Sequence, residues 1–197
     1  MNAVDPDCLG VAEIVPSGTL KNFILLLLLL FVVWPTVVVG QQRTMQIKVY
    51  FPNTKRDNVD CVAPVYPVRR TIPKTTAVAT AALEQLFAGP TSEEQAKGFY
   101  SDFSDATKTL LISVNIKNRY AYVNMRDLTG TSSIGNFTTS CGGSNFYGQV
   151  ESTLKQFPGI RKVFFAFEGD PSHFYDWMQV GECPKELRNC AASNFIK

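Results

Sequence analysis

The sequence predicts an α+β domain, a βαββαβ sandwich in which two helices lie on one face of a mixed four-stranded sheet. Two observations carry this prediction. Apolar and polar residues alternate in four segments, which is the period of a half-buried strand. Between them, two segments repeat apolar residues at three- and four-residue spacing, which is the period of an amphipathic helix. An apolar run precedes this pattern, so the fold is predicted to follow a transmembrane helix or signal anchor.

Each predicted strand is short and bounded by turn signals. Pro52 ends the first strand, and Lys117-Asn118 separates the second from the third, because Asn tolerates the left-handed backbone of a tight turn. In the second strand we expect Leu110, Ile112, Val114 and Ile116 to face the core. The connection between residues 53 and 74 contains several prolines and predicts a long loop. The four strands are predicted at residues 46–51, 110–116, 120–125 and 162–168.

Two helices are expected between these strands. Thr75 or Thr76 can cap the first, and Gly89-Pro90 ends it. Thr91 and Glu94 form a capping box for a short turn of helix directly afterwards. Ser144 can cap the second long helix, predicted from residue 145 to 156. The inward residues are predicted to be Ala79, Ala82, Leu83, Leu86 and Phe87 in the first helix and Phe146, Val150, Leu154 and Phe157 in the second.

The run 23–39 holds no charged residue. It is nearly long enough to span a bilayer as a helix, and two interpretations stay open. The run is a single-pass anchor that follows a cytoplasmic segment, 1–22, or it is a secretory signal cleaved near Gly40. We favour the anchor because the leading segment is long for a signal. Both interpretations place the rest of the chain outside the cytoplasm.

Cysteine usage agrees with export. Four cysteines follow the apolar run, and an even number in an exported domain predicts two disulfides. In the predicted topology the first and third strands are parallel neighbours, so the loops after them leave the same end of the sheet. We therefore predict a Cys61–Cys141 bond and, by proximity in the chain, a Cys183–Cys190 bond.

Composition excludes several classes of function. The formal net charge of +2 does not fit a polybasic nucleic-acid binder. A single histidine, His173, excludes multi-histidine metal sites, and no cofactor is expected. A Cys141/His173 hydrolase pair is conceivable in chemistry, but the predicted disulfide would consume the thiol. We therefore predict that the protein is not an enzyme.

Two groups of residues are candidates for interaction. Phe174, Tyr175 and Trp177 open the tail, 171–197, and form either an aromatic platform for sugars or partners, or a segment that folds back over an open edge of the sheet. We favour the second interpretation. Arg69 and Arg70 form the other group, and we expect them to be solvated or phosphate-facing.

Four runs resemble the GerMN domain of spore-germination and sporulation proteins over residues 46–170. The runs are VRRTIP at 68–73, AALEQLFAGPT at 81–91, RYAYVN at 119–124 and LKQFPGIRKV at 154–163. The resemblance implies an extracytoplasmic, membrane-tethered module in bacteria, similar to ring-building modules of trans-envelope complexes. No catalytic residues are implied.

The expected function is therefore a non-enzymatic, membrane-anchored module that associates with itself or with other envelope proteins through sheet edges or helix faces. The alternative is a module that binds wall glycan or peptide through the aromatic tail.

Overall fold

The computed structural model describes residues 42–57, 61–127, 129, 137–188 and 190–196. The predicted segments 1–22 and 23–39 lie outside these ranges. Within the ranges, no helix is long and apolar enough to cross a membrane.

The described domain contains two sheets and four α-helices. In the first sheet, strands β1 and β2 pair antiparallel. In the second, β3 and β4 pair antiparallel and β4 and β5 pair parallel, so this sheet is mixed. The strands are β1 Thr44–Pro52, β2 Val65–Pro73, β3 Leu111–Lys117, β4 Tyr120–Met125 and β5 Lys162–Phe167. The helices are α1 Val78–Phe87, α2 Ser92–Ala96, α3 Ser140–Lys155 and α4 Pro171–Trp177.

The prediction of a single four-stranded sheet is wrong. β1 does not pair with β4. It pairs with β2, which lies in the connection predicted to be a long loop. The prolines of this segment obscured an alternating pattern in which Ile72 is buried and its neighbours Thr71 and Pro73 are exposed. Proline is tolerated in an edge strand wherever its missing N–H would point away from the neighbouring strand.

Helices α1 and α3 form where the apolar periodicity predicts them, but their caps differ. The N-cap of α1 is Ala77, which has no side-chain cap. Helix α3 begins at Ser140, ahead of the predicted start, because Thr139 accepts a hydrogen bond from Gly142 N. Ser144 therefore lies inside the helix, where its hydroxyl donates to Ser140 O at 2.9 Å.

The main hydrophobic core joins β1, the second sheet and the helices, and a second, small cluster holds Ile47, Ile72 and Ala82. Helix α3 packs against β1, β5 and α1, and α1 also packs against β3. The stripe predicted for α1 is buried as expected. At the centre, Phe103 contacts the rings of Phe87, Phe137 and Phe146, with centroids 4.9–5.8 Å apart. Aromatic burial therefore supplies much of the packing.

The predicted inner face of the second strand is only partly correct. Leu110 is buried, but Ile112 and Ile116 are 41% and 53% exposed. The ladder is irregular between Leu111 and Ser113, and such an irregularity shifts the faces of the strand. β3 is also an edge strand of its sheet.

Both predicted disulfides are present in the structure, although the reason for the first differs. Cys61, in the loop after β1, bonds Cys141 in the first turn of α3. These residues meet because α3 lies along β1, and not because β1 is a neighbour of β4. In the tail, Cys183 bonds Cys190 and closes a short loop.

Candidate functional site

The two adjacent arginines of β2 have opposite environments. Arg70 points to the core side, and its side chain is only 9% exposed. Its guanidinium donates from Nε to Glu94 Oε1 at 3.0 Å and from Nη2 to Glu94 Oε2. It also donates to the carbonyl oxygens of Gln85 and Gly89. Arg70 was predicted to be an interaction residue, but this network uses its donors inside the domain.

The Gly-Pro-Thr motif after α1 positions Glu94, the partner of Arg70 in this network. Thr91 Oγ1 accepts from Glu94 N at 3.3 Å, and Thr91 N donates to Glu94 Oε2 at 2.8 Å, which is the predicted capping box. Gly89 has a φ of +74°, and a Cβ at this position would overlap the carbonyl of Phe103. The motif therefore fixes β2 to the ends of α1 and α2, and its role is structural.

Arg69 lies on the opposite, solvent-facing side of β2. It is exposed, and Lys48 of β1 lies directly across from it. Neither cation forms an ion pair within the part of the chain that the structure describes. Since like charges in directly opposite positions repel, this pair costs stability unless an anionic or hydrogen-bonding partner covers it. Within the described residues, the outer face of the β1–β2 sheet therefore carries two exposed cations without an ion-pair partner.

The two edges of the β1–β2 sheet also differ. Helix α3 closes the β1 edge with side chains: Gln156 Oε1 accepts from Lys48 N at 2.9 Å, and Gln156 Nε2 donates to Lys48 O at 2.6 Å. Thr153 Oγ1 accepts from Tyr50 N at 3.1 Å. These contacts imitate a neighbouring strand. The β2 edge has no equivalent cover among the described residues, and Arg69 lies at its middle.

The aromatic residues of the tail do not form an exposed platform. Phe174 and Tyr175 are buried, at 0% and 4% exposure, and Trp177 is partly buried. Phe174 stacks on Phe165 of β5 at 5.0 Å, and Tyr175 Oη accepts from Phe165 N at 3.4 Å. Helix α4 therefore covers the outer edge of β5. The favoured interpretation, a segment folded back over a sheet edge, describes this arrangement.

Two tyrosines in this region have raised pKa values. Burial raises the pKa of Tyr175 well above its ordinary value, against a hydrogen bond from Phe165 N that lowers it. Burial, with a smaller effect of the Glu151 charge, raises the pKa of Tyr147 to about 12. Both phenols are therefore neutral at physiological pH and serve as packing groups.

The conceivable Cys141/His173 pair is absent from the folded domain, because Cys141 is in a disulfide. His173 instead lies near Asp127, with Nε2 3.6 Å from Oδ2. Burial raises the pKa of Asp127, but hydrogen bonds from Thr129 and the proximity of His173 outweigh it and lower that pKa overall. Among the described residues, no cluster of His, Cys, Asp or Glu has the arrangement of a metal site.

A polar cleft lies between the β3–β4 turn and the tail. Its volume is about 430 Å³, within the range of small-molecule sites. Asn118 and Arg119 both have positive φ, as a tight hairpin turn requires. Glu186, on the other side, pairs with Lys162 at 2.6 Å. The cleft is lined by Lys117, Asn118, Tyr120, Tyr122, Glu186, Leu187, Arg188, Ala191, Ser193 and Asn194.

A known protein family matches this chain. The model of the family described as Germane, sporulation and spore germination, matches residues 48–173. The chain belongs to this family. The narrower assignment to the GerMN domain is related in kind and stays a prediction.

One solved structure also matches, a "Putative Lipoprotein from Clostridium perfringens" that is 18% identical. The alignment covers 68% of this chain and 80% of that one, with a TM-score of 0.37. A search of curated proteins found no match.

Proposed function

We propose that the chain is a non-enzymatic module on the outer side of a bacterial cytoplasmic membrane, where it associates with itself or with other envelope proteins. The observation that carries this proposal is the asymmetry of the β1–β2 sheet. One edge is closed by α3, whereas no described residue covers the β2 edge, and the outer face carries the exposed cations Lys48 and Arg69. Membership of the Germane family and the two disulfides support the location.

The membrane attachment in this proposal rests on the sequence. Run 23–39 supplies a candidate anchor, and residue 42, where the described domain begins, follows it closely. A single-pass anchor of this kind would leave the domain free to meet partners at the membrane surface. If the run is instead cleaved near Gly40, the same surface acts in a secreted domain.

Photo-crosslinking in native membranes tests the interaction surface. A photoreactive phenylalanine replaces Arg69 in the full chain, and the matched control replaces Lys108, a cation on a 3₁₀ turn whose side chain is 54% exposed. We expect a discrete crosslinked product from position 69, identified by mass spectrometry, and none from position 108. Equal products at both positions, or none at position 69, would contradict the proposal.

A second candidate function is binding of wall glycan, and the polar cleft favours it. The buried Phe174 and Tyr175 cannot provide the sugar platform, whereas the partly exposed Tyr120 lines a cleft that also holds the cations Lys117 and Arg188. A soluble fragment of wall glycan should then shift the NMR signals of Tyr120. Unchanged spectra at millimolar glycan would remove this candidate.

A further inference from the structure

The ladder between β1 and β2 determines which backbone groups point out of the open edge. Gln156 holds both the N–H and the C=O of Lys48, so these groups point away from β2. In an antiparallel pair, residues directly opposite each other share this orientation. Arg69 lies opposite Lys48, so its N–H and C=O point out of the free β2 edge. Thr71, two residues further on, has the same orientation.

Prolines bound this open stretch on both sides. Pro67 and Pro73 occupy the next outward positions in the alternation, and neither has an N–H. Between them the edge offers two N–H donors, those of Arg69 and Thr71. Within the described chain neither donor has a hydrogen-bond partner, and all four residues are exposed. Backbone pairing at this edge is therefore limited to a short window, residues 69–71, between the two prolines.

The spacing of this window is symmetric about Arg70. Residues 69 and 71 lie one position from it on either side, and the prolines at 67 and 73 lie three positions from it. A two-fold axis at Arg70 would place Arg69 of each copy opposite Thr71 of the other copy, which gives two such pairs. The four resulting N–H···O=C bonds would use every outward-pointing backbone donor and acceptor between the prolines. Each proline would face a proline, so no N–H would be left without an acceptor there.

We propose that β2 pairs antiparallel with β2 of a second copy in this register and joins the two β1–β2 sheets into one four-stranded sheet. This inference rests on the proposed function and specifies its self-association. Contacts of this type are isologous and close as a dimer. The alternative register centred on Arg69 would place two exposed arginines, neither with an ion-pair partner among the described residues, directly opposite each other, where like charges repel. It would also leave the carbonyl of Thr71 facing a proline. In the proposed register the two copies of Arg70 lie opposite each other at the axis, but each is already paired with Glu94 of its own chain.

Cysteine trapping tests the register. Arg69→Cys and Thr71→Cys are combined in the full chain, with Cys8→Ser to remove the remaining thiol. The control carries Gln46→Cys and Lys48→Cys, which lie on the same outer face with the same spacing. We expect a covalent dimer from the first pair on non-reducing gels and a monomer from the control. Monomers from both, or equal dimers from both, would overturn the proposal.

A backbone variant tests the hydrogen bonds without new thiols. Thr71→Pro removes an outward N–H that β1 does not use, while Thr71→Val keeps it. For the full chain, sedimentation should show a dimer dissociation constant that rises at least about tenfold with Thr71→Pro and changes less than about twofold with Thr71→Val. Circular dichroism checks that both variants fold. Equal effects of both variants, or a wild-type chain that stays monomeric, would overturn the pairing.

The two proposals fail in distinguishable ways. If position 69 crosslinks to a different protein while the chain stays monomeric, self-pairing is wrong and the interaction module stands. If position 69 crosslinks to nothing and the chain is monomeric, both are wrong.

Discussion

The adjacent arginines of β2, Arg69 and Arg70, have different roles in this protein. Arg70 and Arg69 share a strand and a charge, yet the guanidinium of Arg70 is buried against Glu94 and two carbonyls, while that of Arg69 is in solvent. The fork of a guanidinium matches a carboxylate in two-point geometry. A buried pair of this kind is costly to break, because the remaining partner keeps its desolvation penalty.

Replacing each arginine by alanine separates these roles. We expect Arg70→Ala to lower the free energy of unfolding by about 3–5 kcal/mol, because Glu94 is left as an uncompensated buried charge. Arg69→Ala should change it by less than about 0.5 kcal/mol, as is usual for exposed positions. Urea denaturation of both variants measures the difference. Equal losses would contradict the structural role of Arg70.

Alkaline pH should destabilise the domain through its buried tyrosines. In the unfolded chain a tyrosine has a pKa near 10, whereas Tyr147 in the folded domain has a pKa of about 12. The folded state therefore holds this proton more tightly. The stabilisation is complete below pH 10 and is lost as the pH rises toward 12. Denaturation at several pH values should show this fall, and Tyr147→Phe should make it shallower; an unchanged slope would refute it.

At the scale of elements, the β1–β2 sheet depends on α3 for closure. A two-stranded sheet is marginal by itself, and here the helix supplies what a third strand would supply. Gln156 satisfies both backbone groups of Lys48, and Thr153 satisfies Tyr50 N. The stability of the β1–β2 sheet therefore depends more on side chains at the end of α3 than on the strand propensity of its own residues.

Gln156→Ala should open this edge. We expect a loss of about 1–2 kcal/mol in stability, since two backbone groups lose their partner. Amide hydrogen exchange at Lys48 should accelerate most, while exchange at residues of β4 stays unchanged. Lys155→Ala, next to it on the helix and paired only with Glu151 at the surface, is the control. Protection of Lys48 that survives in Gln156→Ala would show that the side chain does not close the edge.

At the scale of the whole molecule, the two disulfides contribute unequally. Cys61–Cys141 spans 80 residues and ties the loop after β1 to α3, whereas Cys183–Cys190 spans 7 residues within the tail. In the chain-entropy model a longer closed loop restricts the unfolded chain more. The first bond therefore acts on the fold as a whole and the second on a local loop.

Paired serine variants should show this ranking. We expect Cys61→Ser with Cys141→Ser to cost about 4 kcal/mol, and Cys183→Ser with Cys190→Ser about 2 kcal/mol. Thermal or chemical denaturation under oxidising conditions compares them. The reverse order would mean that the tail loop, and not the long closure, limits stability.

Local pattern was sufficient for much of the fold. The stripe of α1, the capping box at Thr91 and Glu94, and the hairpin turn after Lys117 follow from periodicity and turn chemistry. β2 was missed because prolines are ordinary loop markers, and only the neighbouring strand decides which N–H groups are needed. Of the residues predicted to interact, Arg69 is exposed, whereas the side chains of Arg70, Phe174 and Tyr175 are buried, and a role of Arg69 in binding stays a prediction.

The sequence by itself determined the apolar periods, the cysteine inventory and the family, because each is a property of residue type and spacing along the chain. The tertiary structure alone decided that β1 pairs with β2, that α3 closes one edge of that pair, and that no described residue covers the other edge. The closure depends on contacts between residues about a hundred positions apart, as between Lys48 and Gln156, and the pairing depends on which of several segments meets β1. Spacing along the chain does not encode which distant backbone groups meet.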